Sequence, residues 1–281
     1  MKILGAFITL FSSSVLICCV SGSGNNHKKE NHDVLNKSGT TLETRFLAPK
    51  GFKRMATPPH SFTEYLRRLS LKPDGAKVKL FNGQTKENDV YDAVVDMDIG
   101  NTDLQQCADA VMRLRGEYLF GQKRYDEISF NFNGGFTCDY AHWMQGYRVK
   151  IRNEQAYWER SAEPANNYQV FRKYMDVVFD YAGTLALSKL LNAKPIKDME
   201  IGDVFIKGGS PGHAVIVVDM AEDKAGHKTF MLAQSYMPAQ DIQVLKNMTK
   251  PDTSPWYNLS DITATLTTPE WIFAADQLKG W

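Results

Sequence analysis

Residues 201–219 read IGDVFIKGGSPGHAVIVVD, and this stretch decides the fold prediction. A Gly-Asp pair opens a short apolar run at 204–206, which predicts a strand. The glycine-rich segment 208–212 predicts a turn. A Gly-His pair then leads a second apolar run at 214–219, which predicts a second strand. His213 is therefore expected where that second strand begins.

The strand after this one supplies a candidate partner for the histidine. If strands 214–219 and 229–235 fold back through the polar turn between them, His213 lies opposite Gln234 or Ser235, at ~5 Å. We choose Gln234, because an amide oxygen can accept a hydrogen bond from the imidazole N–H.

Asp103-Leu104-Gln105-Gln106 is a capping box and predicts a helix from Asp103 to about Phe120. Cys107 falls in its first turns, where the helix dipole and unpaired amides lower the pKa of a thiol. A nearby imidazole would complete the activation of a nucleophile. Two alternatives stay open: Cys107 lies on an apolar stripe that favours inert core packing, and it forms with Cys138 the cysteine pair beyond the leader, which favours a disulfide.

The order of the remaining elements indicates the fold class. Strands are predicted near 78–81, 93–97, 128–132 and 147–151, and a long apolar helix over 168–191. Helices early in the chain and a strand-rich last third favour an α+β fold. On the helix that contains Cys107, three charged residues at four-residue spacing predict an ion-pair row on the surface: Asp109, Arg113 and Glu117.

Residues 201–236 resemble the histidine segment of NlpC-like cysteine peptidases and CHAP amidases, which are papain-like enzymes that cut amide bonds in bacterial cell walls. The resemblance implies an α+β papain-like core, with helices packed on a small antiparallel sheet and with insertions. It also implies that Cys107 is the nucleophile, His213 the general base and acid, and Gln234 the orienting residue. The sequence departs from these enzymes in having Gln106, rather than aspartate, before the cysteine.

Aromatic residues suggest where a substrate would bind. Trp143 and Tyr236 are candidates for lining a peptide or glycan groove, although aromatic side chains more often belong to the core.

Four segments also resemble a family of uncharacterised bacterial lipoproteins, known as a domain of unknown function: DLQQCADA at 103–110, YAGT at 181–184, PGHAV at 211–215 and LAQSYMPAQ at 232–240. This second resemblance spans most of the mature chain and implies a single domain over 45–281. It implies no activity.

The first 19 residues have the pattern of a secretory signal peptide. Lys2 precedes an apolar run, and the serines at 12–14 make an uncleaved membrane span a poor alternative. Leu16-Ile17-Cys18-Cys19 resembles a bacterial lipobox, which implies lipidation of Cys19. Cleavage near 20–22 is the alternative and would release a soluble secreted or periplasmic protein. The polar residues 20–44 predict a flexible linker.

Composition excludes several classes of function. The formal net charge is +1, and the sequence carries no nucleic-acid-binding signature, so we expect no nucleic-acid partner. It shows no phosphate loop, dinucleotide fingerprint or convincing metal spacing, so we expect no cofactor and no metal. The expectation is a lipid-anchored envelope thiol hydrolase that acts on an amide, with a cell-wall peptide or glycan as partner. The alternative is a non-catalytic envelope lipoprotein that binds such a ligand.

Overall fold

The computed structural model describes residues 34–281, and its largest element is a nine-stranded sheet. The signal peptide, Cys19 and the first part of the linker lie outside the described residues. The strands are β1 (Phe52–Arg54), β2 (Tyr91–Val94), β3 (Ser129–Asn131), β4 (Thr137–Asp139), β5 (Tyr147–Arg152), β6 (Gln155–Arg160), β7 (Asn192–Ala193), β8 (Val204–Lys207), β9 (His213–Asp223), β10 (Lys228–Gln234), β11 (Gln243–Leu245), β12 (Tyr257–Asn258), β13 (Thr265–Thr267), β14 (Ile272–Ala274) and β15 (Leu278–Gly280).

The helices are mostly short. The α-helices are α1 (Leu42–Arg45), α2 (Phe62–Arg67), α3 (Cys107–Gly121), α4 (Tyr140–Met144), α5 (Tyr168–Tyr181) and α6 (Thr184–Leu190). Single 3₁₀ turns lie at Tyr125–Glu127, Ile196–Asp198, Pro251–Thr253, Leu259–Asp261 and Ala275–Gln277. Among residues 34–281, no helix combines the length and the apolar character that crossing a bilayer requires.

The large sheet runs in the order β2-β11-β10-β9-β8-β15-β7, with β1 paired to β9 and β12 paired to β10. Its strands pair antiparallel, as do the two-stranded sheets β3–β4, β5–β6 and β13–β14. The predicted α+β class is confirmed, although the sheet is large rather than small.

Strand β9 forms the centre of the core. Its residues 213–221 are all buried, so both faces of the strand are covered. Helices α2 and α3 pack against it. Helix α5 packs in turn on α3, where Gly116 allows close approach because a side chain there would press on Met175 and Phe171. The first residues of α3 and β9 are thereby held in the same region of the molecule.

The predicted helix over 168–191 is interrupted. Helix α5 ends at Tyr181 and α6 begins at Thr184, with Gly183 as its N-cap. The Oδ1 atom of Asn133 accepts a hydrogen bond from the Ala186 N–H at 3.2 Å, so a distant loop satisfies the start of α6. This tertiary cap has no counterpart in the local sequence, and it places the break beside β9.

Two further expectations differ from the structure. The strand predicted at 78–81 is reduced to isolated bridges, Lys79 with Thr85 and Leu80 with Gln240. Residues before the predicted domain start at residue 45 also belong to the folded domain, because Leu42 is fully buried and the Thr41 side chain caps α1.

Candidate functional site

A cavity of about 750 Å³ lies where the start of α3, the start of β9 and the α5–α6 break meet. Cys107 and His213 both line it, together with Tyr236 and Trp271. The side chains predicted as nucleophile and base therefore face one space, although they are far apart in sequence.

Helix α3 begins later than the sequence predicts, and Cys107 is its first residue. Asp103 is not the cap: Gln106 occupies that position, and its backbone N–H donates to Asp109 Oδ2 at 3.0 Å. Amides in the first turn of a helix have no helical acceptor, and those of Cys107 and Ala108 lie beside the Cys107 sulfur. The cysteine thus lies closer to the helix N-terminus than predicted.

The Cys107 thiol is protonated at neutral pH. Burial, followed by the nearby Asp109 carboxyl, raises the pKa of Cys107 to about 11, and this outweighs the opposing effect of the Ala214 backbone N–H on the sulfur. That contact with Ala214 also shows that the sulfur lies beside the residue that follows His213. In the described residues no hydrogen bond joins the sulfur to the His213 ring.

The two described cysteines, Cys107 and Cys138, are both free. The structure therefore contains no disulfide between them. Cys138 is fully buried and does not line the cavity.

The glycine-rich turn brings His213 to the cavity by packing tightly on α6. Thr184 Oγ1 donates to the Gly209 carbonyl at 3.1 Å. A side chain at Gly212 would overlap with that same hydroxyl and with the Gly209 carbonyl. Residue 212 must therefore be glycine, because the turn packs closely against Thr184 of α6. This packing fixes the position at which β9 begins.

The His213 ring is held by a chain of polar side chains. Its Nε2 lies 2.8 Å from Gln234 Oε1, Gln234 Nε2 donates to Glu270 Oε2 at 2.6 Å, and Lys86 Nζ pairs with the same carboxylate oxygen at 2.8 Å. A carboxylate only accepts, so the Gln234 amide nitrogen must face Glu270 and its oxygen must face the ring. The proton of a neutral His213 therefore resides on Nε2, and Nδ1 keeps its lone pair.

Aromatic side chains enclose the imidazole. The ring centroid of His213 lies 4.9 Å from that of Tyr236, 5.4 Å from Trp271 and 5.9 Å from Phe273. Burial lowers the pKa of His213 to about 4, although the Gln234 hydrogen bond and the Glu270 charge act in the opposite direction. The histidine is neutral at physiological pH and can accept a proton.

Gln234 reaches the histidine by a different register from the one predicted. Leu232 pairs with Val217 and Ala233 with Ile216, after a register shift at Met231. Continuing that pairing places Gln234 across from the second residue after His213, so the two side chains are diagonal neighbours on one face. The predicted opposition was wrong because an irregular strand pair cannot be aligned from the turn alone.

The segment after β10 holds the start of α3. Ser235 Oγ donates to the Gln105 carbonyl at 3.1 Å, and the Ala239 N–H donates to Asp103 Oδ1 at 2.6 Å. The Ser235 hydroxyl is therefore bonded to the backbone before α3, and Gln234 is the residue that bonds to His213. The end of one strand thus positions both the cysteine and the imidazole.

The two aromatic candidates have different surroundings. Tyr236 lines the cavity and contacts His213. Trp143 is buried in the core and is absent from the cavity lining: its indole N–H donates to the Val170 carbonyl at 3.1 Å, and Arg148 covers its ring. The structure does not bring Trp143 to the site.

The sequence analysis missed three residues of this site. Glu270 and Lys86 come from distant segments and have no local signal. Asp109 was assigned to a surface ion-pair row, which is wrong: it is 6% exposed and lines the cavity, while Arg113 is buried with Glu117 and Gln105. Its position three residues after the N-cap was the available signal, since such a residue folds back on the helix start.

The comparisons with known proteins identify a family but no activity. The chain belongs to a family described as a domain of unknown function (4846), whose model matches residues 42–280. Neither the curated proteins nor the solved structures contain a match. Within residues 34–281, no group of three or more His, Cys, Asp and Glu residues is arranged to hold a metal ion.

Proposed function

We propose that this protein is a thiol hydrolase that cleaves an amide bond, with Cys107 as nucleophile, His213 as general base and acid, and Gln234 as the orienting residue. One observation carries the proposal: a cysteine at the first residue of a helix and a histidine at the first residue of a strand line one cavity, and the histidine is oriented by Gln234. The papain-like assignment that the sequence suggests is supported by the same placement.

The reaction follows from the protonation states. His213 Nδ1 takes the thiol proton while the Cys107 sulfur adds to the amide carbonyl carbon, and the resulting oxyanion accepts hydrogen bonds from backbone amides at the α3 start. Collapse breaks the C–N bond, and His213 returns the proton to the leaving amine. Water, deprotonated by the same imidazole, then hydrolyses the thioester and regenerates the thiol. The Gln234 bond to Nε2 keeps Nδ1 as the basic atom in each step.

The compartment suggests the substrate. A lipid on Cys19 and a polar linker would hold the domain at the cell envelope, where cell-wall peptides supply amide bonds. We therefore propose a peptidoglycan peptide as the substrate. Metabolic labelling with a fatty-acid analogue tests the anchor, and Cys19→Ala should abolish the label.

Alkylation and digestion test the chemistry. Iodoacetamide should modify Cys107 and spare Cys138, which is fully buried away from the cavity. His213→Ala should slow the modification of Cys107. The full chain should release new amines from purified peptidoglycan peptides, Cys107→Ala should release none, and Cys138→Ala should behave as the wild type. Equal digestion by Cys107→Ala would overturn the proposal.

The second candidate is a non-catalytic lipoprotein that binds a peptide or glycan in the same cavity. It is favoured by the absence of a direct Cys107–His213 hydrogen bond in the described residues and by the neutral state of both groups. Binding of peptidoglycan peptides without any change in their mass, in the wild type, would establish this candidate and exclude the hydrolase.

A further inference from the structure

Asp109 is a buried carboxyl group with an unused oxygen. Its side chain is 6% exposed and lines the cavity that contains Cys107. Oδ2 accepts the Gln106 N–H at 3.0 Å, but Oδ1 has no hydrogen-bond partner in the described residues. Such an oxygen carries a desolvation cost unless a ligand supplies a donor.

The charges around the cavity are predominantly acidic. Its lining includes Asp103 and Asp180 as well as Asp109, and the described residues that line it include no lysine or arginine. Asp103 already accepts two hydrogen bonds, from Ala239 and Gln106. Asp180 is exposed at the end of α5, and the described residues offer it no hydrogen bond or ion pair. Oδ1 of Asp109 and the carboxyl group of Asp180 are therefore available to a ligand, the first buried and the second at the surface.

A cationic donor fits these groups better than the alternatives. A neutral amide ligand would offer Asp180 no cationic partner and would not favour the ionised form of Asp109. Among the described residues, the lining offers no lysine or arginine for a structural ion pair, and no group of three His, Cys, Asp or Glu residues could hold a metal ion. A primary ammonium supplies three N–H donors and one positive charge. It can therefore donate to the free Oδ1 of Asp109 and interact with the carboxyl group of Asp180 nearby.

We propose that Asp109, assisted by Asp180, binds a primary ammonium group of the substrate. The inference rests on the proposed function only in taking this cavity as the substrate site. The ammonium can come from the amino terminus of a peptide or from the side chain of a diamino acid. Because Asp109 and Cys107 line the same cavity at the start of α3, the ammonium lies near the scissile amide.

Protonation of Asp109 gives the binding a pH dependence. Burial raises the pKa of Asp109 to about 8, and the Asp180 charge adds to this. The titratable groups that share the cavity are Cys107 on the same helix, Asp103 before it, Asp180 on α5, His213 on β9 and Tyr236 after β10. Binding of an ammonium expels the Asp109 proton, so affinity should rise by up to about tenfold per pH unit below pH 8.

Calorimetry on the full-length Cys107→Ala variant tests the inference without turnover. Three probes are compared: alanyl-alanine amide, which carries an α-ammonium, Nα-acetyl-lysine amide, which carries a side-chain ammonium, and N-acetyl-alanyl-alanine amide, which is neutral. At least one cationic probe should bind about tenfold or more tightly than the neutral one. The tighter of the two identifies the source of the ammonium.

Asp109→Asn provides the matched variant, because the amide oxygen can still cap the Gln106 N–H. It should remove the advantage of the cationic probe, and exposed Asp126→Asn should retain it. Equal binding of cationic and neutral probes, no binding of either cationic probe, or binding that disappears with EDTA would overturn the inference. If Asp109→Asn fails to fold, the probe comparison still decides.

The proposed function fails separately from this inference. Binding of a cationic probe by a wild-type protein that hydrolyses nothing would leave the ammonium site in place and exclude the hydrolase. Hydrolysis of acetylated peptides and of peptides with a free amino group at equal rates would support the hydrolase and exclude the ammonium site.

Discussion

The Nε2 atom of His213 lies 2.8 Å from Oε1 of Gln234, and this hydrogen bond fixes which ring nitrogen is basic. The amide cannot turn over, because its nitrogen is held by Glu270 at 2.6 Å and Glu270 in turn by Lys86. The ion pair of Lys86 and Glu270 thus fixes the orientation of the Gln234 amide, and the amide fixes the orientation of the His213 ring. The group that contacts the imidazole is neutral.

Gln234→Ala should impair both reactivity and stability. It leaves the Nε2–H of His213 without an acceptor and frees the ring to change tautomer. We expect amide hydrolysis to fall about 10- to 100-fold and the free energy of unfolding to fall by ~1–3 kcal/mol. Steady-state kinetics and urea denaturation measure the two effects. Gln145→Ala, at an exposed position outside the cavity, serves as control, and unchanged kinetics in Gln234→Ala would contradict the orienting role.

The alkylation of Cys107 should depend steeply on pH. Since the pKa of Cys107 is raised to about 11 and that of His213 lowered to about 4, the resting pair is neutral. The rate of iodoacetamide modification should therefore increase by about tenfold per pH unit through the neutral and mildly alkaline range. Mass spectrometry of quenched samples gives the rates. A rate that stays flat over this range would instead reveal a stable thiolate–imidazolium pair.

Gly212→Ala should displace His213. The added methyl group would overlap with the Thr184 hydroxyl and the Gly209 carbonyl, so the turn must move away from α6. We expect a loss of ~1–3 kcal/mol in unfolding free energy and slower alkylation of Cys107. Gly134→Ala is the matched control, because a side chain there meets nothing within 4 Å. Identical behaviour of the two variants would refute the packing argument.

The stability of the protein should show the raised pKa of Asp109. The folded-state pKa of about 8 exceeds the ordinary value of 3.8, so the folded state binds this proton more tightly. The resulting stabilisation is complete below the ordinary value and is lost as the pH rises to about 8. Asp109→Asn has no such proton. The free energy of unfolding of the wild type should therefore fall relative to that of the variant between about pH 5 and pH 8, by up to ~1.4 kcal/mol per pH unit, and its melting temperature should fall with it.

Thermal unfolding of both proteins across this range checks the prediction, since the other titrating groups are common to the two. If the melting temperatures of the two proteins changed in parallel with pH, the pKa of Asp109 would not be raised by burial.

Local patterns predicted the elements that carry the site better than their boundaries. The turn and strand around His213 were predicted well, because glycine and β-branched residues act over a few residues. The N-cap of α3 was misplaced by three residues, since Asp103 accepts a hydrogen bond from the Ala239 N–H and Gln106 is the cap instead. The break before Thr184 was missed because Asn133, from another segment, caps the helix.

By itself, the sequence determined that the chain has an α+β fold, that a histidine opens a buried strand and that a cysteine lies near a helix start, because these features depend on near neighbours in the chain. Only the tertiary structure decided the rest. It brought Cys107 beside Ala214, linked Gln234 to Glu270 and Lys86, and buried Asp109 with an unused oxygen. Those relationships join residues separated by many intervening positions, and they arise from packing and solvent exclusion, which no local pattern encodes.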